Sequence, residues 1–297
     1  MNKTAQKRQS GWIAALIWLV SILGTVGSLA YQDRTGPTYP LRGSVATEAG
    51  PVQFICMRSQ TIGQGLSIVI LDPVPDGITG TVRYRRFRSN DDWKAVAMVR
   101  GSFAVSGRGR STNVAGIGAV LPGLNERAGK YEYFVNLTIA PENKPVSITG
   151  DRPIYARYKA PVPGASLAAH IAAIFASMLL AIRTTLAALI GRDLRRWLYA
   201  TIATLLLGGF VLGPLVQWHA FGVWWSGFPF GYDWTDNKVV VELAFWLAAL
   251  WANSGKRRSR AAVIIAGLAT LVVYFIPHSV FGSEYNYITG SGHGTAG

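Results

Sequence analysis

The residues of this chain that could act as acids, bases or metal ligands are few, and most of them lie beside apolar segments of the C-terminal half. The 297 residues include four histidines and one cysteine, and only five acidic residues follow position 160. Ionisable side chains in or beside a lipid bilayer are costly and tend to mark functional sites. This clustering therefore predicts a polar site at one end of a group of membrane helices.

The predicted site has five members and one further candidate. It consists of His170, Asp233, Asp236, His278 and Glu284, with His219 as the additional possible ligand. Imidazole and carboxylate groups together bind Zn²⁺, Cu²⁺ or Fe²⁺, so we expect a divalent transition metal. A haem held by two of the histidines is a further alternative. The third interpretation is a hydrogen-bonded cluster that ties loops to helix ends. No HExxH spacing is present, so the sequence leaves open whether any reaction is catalysed.

Two polar pairs near the start of the fourth apolar segment have structural interpretations. Thr235 or Asp236 is suited to cap the helix that follows, because both side chains accept hydrogen bonds from free backbone N–H groups. Lys238 and Glu242 are four residues apart on one helix face, which predicts an ion pair. Asp233 has no such structural explanation from the sequence.

Hydropathy predicts a membrane protein of mixed α and β structure. Crossing ~30 Å of hydrocarbon takes about 20 apolar residues in a helix. Five apolar segments qualify or nearly qualify: Gly11–Tyr31, Gly164–Ile182, Leu198–Val216, Val239–Trp251 and Ala261–Pro277. The expected fold is a transmembrane anchor (residues 1–31), a β-sandwich outside the cytoplasm (43–160), a bundle of four transmembrane helices (164–277) with an outer loop at 218–238, and an outer tail (278–297).

The distribution of basic residues predicts the orientation. Basic clusters occur at 3–8, 192–196 and 256–260, whereas the tail 278–297 has no lysine or arginine. Since cytoplasmic loops are enriched in these residues, the N-terminus is expected inside and the C-terminus outside. In a bacterial inner membrane, residues 32–163 and the predicted site would then face the periplasm.

The first apolar segment has an alternative interpretation as a signal peptide. Ser28-Leu29-Ala30 is an acceptable cleavage site after a charged start and an apolar run, so residues 1–30 could be removed. The run is long for a signal peptide and favours an anchor.

Residues 43–160 have the alternating pattern of a β-sandwich. Short alternating runs at 66–70, 81–87 and 130–137 are separated by glycine and proline turns. Residues 121–133 resemble the approach to a late strand in fibronectin-type-III-like modules. This resemblance implies an immunoglobulin-like or fibronectin-like sandwich, which we interpret as a docking domain for other subunits of a membrane complex.

Charge alone does not indicate nucleic-acid binding. The formal net charge is +14, but the basic residues are spread over short clusters without a basic helix or an aromatic-basic pattern. The run 84–88 could contact anionic lipid headgroups or an acidic partner. A solvated strand face with alternating charge is the simpler interpretation of that run.

Two specific runs in the C-terminal half give a resemblance. Asp-x-Thr-Asp-Asn-Lys occupies 233–238, and Pro-His-Ser-x-x-Gly-Ser-Glu occupies 277–284. Together with His170, Met178 and the glycine-rich loop before Asp233, these runs make residues 165–287 similar to a group of uncharacterised bacterial inner-membrane proteins. The resemblance implies a bacterial membrane protein of this architecture and implies no activity.

Overall fold

The computed structural model is a mixed α and β protein. It describes residues 3–47, 50–107, 110–140, 144–277 and 282–292. The described chain contains an N-terminal apolar helix, a β-rich middle and a helical C-terminal half. This order agrees with the predicted succession of elements.

Helices occupy all five of the predicted apolar segments. They are α1 (Lys3–Thr35), α2 (Gly164–Leu189), α3 (Arg195–Leu205), a π-helical segment (Leu206–Leu212), α4 (Gly213–Phe221), α5 (Trp234–Trp251) and α6 (Arg260–Phe275). The third apolar segment is one continuous helical stretch from α3 through the π-helical segment to α4.

Three helical stretches are long and apolar enough to cross a membrane: Gly11–Thr35, Gly164–Leu189 and Arg195–Phe221. Helix α6 is apolar but has only 16 residues, which is about 24 Å of helix. Helix α5 has 18 residues and carries Asp236, Lys238 and Glu242, which lower its apolar character. The sequence therefore predicts the helices correctly, and length and composition alone support three of the five expected crossings.

The strands form two larger sheets and a small one among the described residues. They are β1 (Leu41–Thr47), β2 (Gly50–Cys56), β3 (Ser59–Thr61), β4 (Leu66–Leu71), β5 (Ile78–Arg86), β6 (Lys94–Ala97), β7 (Val99–Gly107), β8 (Arg110–Leu121), β9 (Lys130–Ile139), β10 (Lys144–Ser147), β11 (Ile154–Lys159), β12 (Tyr285–Asn286) and β13 (Ser291–Gly292). The first sheet has the order β1-β2-β4-β8-β7. The second has the order β3-β11-β9-β5-β6, with β10 beside β9, and β12 pairs with β13.

One hydrophobic core is built from both of the larger sheets. Ile68 and Ile70 of β4 are buried in the same cluster as Val82 of β5 and Tyr133 of β9. Alternate residues of β5 and β9 point into this core because successive side chains of a strand face opposite sides. The three alternating runs of the sequence lie in β4, β5 and β9, as the pattern predicts.

Helix α6 is joined to α2 by close packing and to α5 by a buried hydrogen bond. A Cβ atom on Gly267 of α6 would overlap the Thr185 side chain of α2, so only glycine permits this approach of the two helices. The Trp246 side chain of α5 is fully buried, and its indole Nε1 donates a 2.9 Å hydrogen bond to the Thr270 hydroxyl of α6.

The chain divides into two compact units. The helical unit contains Met1–Gly36, Val162–His219 and Val223–Gly282, and the β unit contains Pro37–Pro161, Ala220–Gly222 and Ser283–Gly297. Glu284 therefore belongs to the β unit, whereas His170, Asp233 and Asp236 belong to the helical unit.

Candidate functional site

Asp236, in the first turn of α5, holds the preceding loop against the start of this helix. Its Oδ2 atom accepts hydrogen bonds from the backbone N–H groups of Ser226 (2.7 Å) and Gly227 (3.0 Å). The Gln217 amide also donates to Oδ2, at 3.2 Å. The carboxylate lies in a buried position near the positive end of the helix dipole, which stabilises its negative charge.

Asp233, rather than Thr235 or Asp236, caps α5. Its Oδ1 atom accepts a 2.8 Å hydrogen bond from the Thr235 backbone N–H, as an N-cap side chain does. Its Oδ2 atom lies 3.1 Å from the Ser226 hydroxyl, which is also 3.2 Å from Asp236 Oδ2. The expected cap was therefore wrong, and Asp233 has the structural role that its sequence context did not reveal. The two aspartates meet at Ser226.

Glycine at position 227 makes this arrangement possible. A Cβ atom there would lie 2.6 Å from the Asp236 Cβ atom and 2.7 Å from the Asn237 side-chain oxygen. That oxygen accepts a 2.7 Å hydrogen bond from the Phe228 backbone N–H. The runs Ser226–Phe228 and Asp233–Asn237 thus form one interlocked set of hydrogen bonds, which we call the loop clasp.

His170, in the seventh position of α2, binds the neighbouring π-helical segment. Its Nδ1 atom lies 3.0 Å from the Gly208 carbonyl oxygen. A carbonyl only accepts, so Nδ1 carries the proton, and Nε2 of the neutral ring is an acceptor. Glycine is required at position 208, because a Cβ atom there would lie 2.9 Å from the Ile174 backbone nitrogen. A π-helical turn often marks a functional site, and here it brings a backbone carbonyl to the histidine.

Glu284 lies in the β unit between two basic side chains. Its Oε1 atom is 2.6 Å from Arg88 Nε, and its Oε2 atom is 2.8 Å from Lys130 Nζ. Burial and the nearby guanidinium of Arg157 lower the pKa of Lys130 to about 8, and Glu284 opposes this shift. The carboxylate is thus neutralised within the β unit.

The remaining predicted ligands add no described metal site. His278 lies outside the described residues. His219 contacts the edge of the neighbouring Trp218 ring, with 5.1 Å between ring centroids. Cys56 is a buried free thiol whose pKa is raised to about 12 by burial, so it is protonated and unsuited to bind metal. Among the described residues, no group of three or more His, Cys, Asp or Glu side chains could hold a metal ion.

The basic run of β5 is also engaged internally. Arg85 pairs with Glu132 at 2.6 Å, and Arg86 pairs with Asp91 at 2.7 Å. Together with the pair between Arg88 and Glu284, these contacts supply a carboxylate to each of the three arginines of the run 84–88. The interpretation of the run as a charged strand face accounts for these contacts.

Lys238 and Glu242 have separate partners, in contrast to the expected ion pair. Lys238 Nζ donates to the Ile276 carbonyl at 3.0 Å, whereas Glu242 Oε1 accepts a 2.9 Å hydrogen bond from the Thr270 hydroxyl. No salt bridge joins these two side chains within the described residues, although their opposite charges attract each other. The fully buried Glu242 is thus tied to α6, which sequence analysis missed. The only signal was a carboxylate within an apolar helix.

Comparison with known proteins gives no relatives for this chain. No protein-family model, no curated protein and no solved structure matches it.

Proposed function

We propose that this chain is a non-catalytic accessory subunit of a bacterial membrane complex, and that its β unit docks an extended segment of a partner subunit. In this proposal the chain lies in the inner membrane with the N-terminus inside. The β unit is a sandwich on the periplasmic side, and α2 to α6 form the bundle. The basic clusters and the apolar segments support this placement.

The open edge of the first sheet carries the docking proposal. Strand β7 has nine residues and, among the described strands, pairs only with β8 at the end of its sheet. Native proteins protect such edges with proline, bulges or several charges. This strand has no proline and a single charged residue, Arg100, which already pairs with Asp72 at 2.9 Å. Such an edge can accept a strand from another chain through backbone hydrogen bonds.

The loop clasp supports a non-catalytic role for the predicted site. Asp233, Asp236 and Glu284 are each held by hydrogen bonds or ion pairs within their own unit. Carboxylates that already satisfy backbone donors or cations are used to fix structure. This arrangement favours the structural interpretation of the polar residues over a metal site.

One observation favours a second candidate, a metal-binding function at His170. Histidine ligands usually donate their second ring N–H to a backbone carbonyl, and His170 Nδ1 makes this contact with Gly208. The described residues do not supply the further donors that a metal needs. Elemental analysis of the purified full chain tests this second candidate, because a transition metal bound in equimolar amount would support it and its absence would contradict it.

Site-specific photo-crosslinking tests the docking proposal. A photoreactive amino acid at Ala104, an exposed position of β7, should give a covalent adduct with another membrane protein in native membranes. The matched control is Thr81, an exposed position on the inner strand β5, where no adduct should form. Equal adducts at both positions, or none at Ala104, would contradict the proposal. An adduct between two copies of this chain would contradict docking of a partner subunit and would indicate self-association.

A further inference from the structure

Arg183 of α2 is a buried guanidinium without a full set of hydrogen bonds. Only 6% of the residue is exposed, and its Nε and Nη1 atoms have no hydrogen-bond partner within the described part of the chain. A buried donor without an acceptor is destabilising, and the cost is larger for a charged group. The position therefore calls for an anionic or hydrogen-bond-accepting group from outside the chain.

Two tryptophans from neighbouring helices surround this guanidinium. The Arg183 Cζ atom lies 4.5 Å from the ring centroid of Trp197 in α3 and 5.4 Å from that of Trp18 in α1. The two indoles contact each other edge to face, with 5.2 Å between centroids. These contacts hold the guanidinium by cation–π attraction but satisfy none of its N–H groups.

The charged groups that act on Arg183 are other arginines. Arg192 and Arg196, which follow α2, both repel it electrostatically. The Arg196 guanidinium lies 4.6 Å from the centroid of the Trp197 ring that Arg183 also contacts. An anion bound between these guanidinium groups would offset their mutual repulsion.

The depth of this cluster matches the lipid headgroups. Arg183 is six residues before the end of α2, which is about 9 Å along the helix. A long arginine side chain at this depth can extend toward the interface while its aliphatic part stays among apolar groups. Tryptophans are also enriched at the interface. The anions at that level of a bacterial membrane are the phosphodiester groups of lipids.

We propose that Arg183, Arg196, Trp18 and Trp197 form a binding site for the phosphodiester headgroup of an anionic phospholipid such as phosphatidylglycerol. The guanidinium groups donate hydrogen bonds to the phosphate oxygens. The Nε and Nη1 atoms of Arg183 have almost no exposed surface, so their share of these bonds requires the Trp18 and Trp197 side chains to move apart. The indoles pack against the glycerol region of the lipid. This inference rests on the proposed membrane placement of α1 to α3 and is independent of docking at β7.

Lipid binding to the full chain tests this site. The chain is purified in a neutral detergent and titrated with phosphatidylglycerol or phosphatidylcholine, and bound lipid is counted by native mass spectrometry. We expect binding of phosphatidylglycerol over phosphatidylcholine, and about fivefold weaker phosphatidylglycerol binding in Arg183→Leu, since a basic residue near an anionic surface contributes about this factor. Arg195→Leu is the control, because it removes the same charge from the same region at an exposed position over the Tyr199 ring.

A second variant keeps the test decisive if Arg183→Leu fails to fold, as judged by thermal melting. Arg196→Leu changes an exposed residue of the same cluster and should weaken phosphatidylglycerol binding to a similar extent. Equal binding of the two lipids, or equal loss in Arg195→Leu, would overturn the proposal. Displacement of phosphatidylglycerol by inorganic phosphate at comparable concentration would also overturn it, because the site would then bind a soluble anion.

Discussion

Replacing Asp236 by asparagine should loosen the loop before α5 without unfolding the helical unit. The carboxylate Oδ2 atom accepts backbone hydrogen bonds from Ser226 and Gly227, at 2.7 and 3.0 Å. Asparagine has nearly the same shape, so it can keep one oxygen in this position. It loses the negative charge that strengthens both bonds and that interacts with the helix dipole.

The expected change in the free energy of loop opening follows from these two hydrogen bonds. A hydrogen bond to a charged group contributes about 1.5–3 kcal/mol, against about 0.5–1.5 kcal/mol for a neutral one. Two bonds weakened by about 1 kcal/mol each lower the free energy of local opening of the loop by about 2 kcal/mol. Because 1.4 kcal/mol corresponds to a factor of ten, the open fraction of the loop should rise about 30-fold.

Limited proteolysis measures this opening. Phe230 is 76% exposed, and chymotrypsin can cleave after it once the surrounding turn opens. Where opening is fast relative to cleavage, the cleavage rate follows the open population. The Phe230–Gly231 cut, identified by mass spectrometry, should therefore appear about 30-fold faster in Asp236→Asn. Asp193→Asn is the control, since this exposed carboxylate accepts one 3.2 Å bond, from the Arg195 backbone.

Two results would refute this reasoning. An unchanged cleavage rate in Asp236→Asn would mean that the carboxylate does not hold the loop. If a chelator accelerated cleavage of the unmodified chain to the rate of the variant, Asp236 would act through a bound metal. The metal-binding candidate would then replace the structural one.

The other two predictions concern pH and helix packing. Because the pKa of Lys130 is lowered to about 8 in the fold, the folded chain loses this proton before the unfolded chain does. Lys130 should therefore contribute a rise in stability of about 2 kcal/mol between pH 7.5 and 9.5, and Lys130→Met should make the measured rise smaller by this amount in chemical unfolding. Gly267→Ala should lower the melting temperature, because overpacking costs about 1–3 kcal/mol. Gly27→Ala should not, since no atom lies within 4 Å of a Cβ there; equal effects would contradict the packing argument.

The helices could be predicted because their signals are local. Apolar runs bounded by basic loops, glycine and proline locate all five helical regions, although α1 begins eight residues before its run and α2 ends seven residues after its run. Helix α5 shows where local reasoning ends. The spacing of Lys238 and Glu242 favours an ion pair, but Thr270 and the Ile276 carbonyl bind these side chains instead. Both partners are distant in sequence and depend on how α5 and α6 pack.

The details of the loop clasp could not be predicted for a similar reason. Cap preferences identify Asp, Thr and Ser as candidates within a few residues, but they do not choose among them. The choice depends on where the Ser226 and Gly227 N–H groups point, and this is set by the loop that Gly227 allows. The contact of Glu284 was even less predictable from the sequence, because its partner Lys130 is 154 residues away in the β unit. Membrane topology predicts that Glu284 and the histidines lie on the same side of the bilayer. This prediction does not say which residues they contact.

The distribution of satisfied and unsatisfied groups determines where this chain can bind other molecules. In the loop clasp, Asp233 and Asp236 have intramolecular donors, so an added ligand would have to displace existing bonds. At Arg183, two guanidinium nitrogen atoms have no acceptor among the described residues, and strand β7 lies at the end of its sheet. A buried donor without an acceptor gains a hydrogen bond when a ligand binds, whereas a donor on an exposed strand edge exchanges a bond to water for a bond to the partner. We therefore expect lipid binding at Arg183 and partner binding at the edge of β7, whereas the hydrogen bonds of the loop clasp favour a structural role for Asp233 and Asp236.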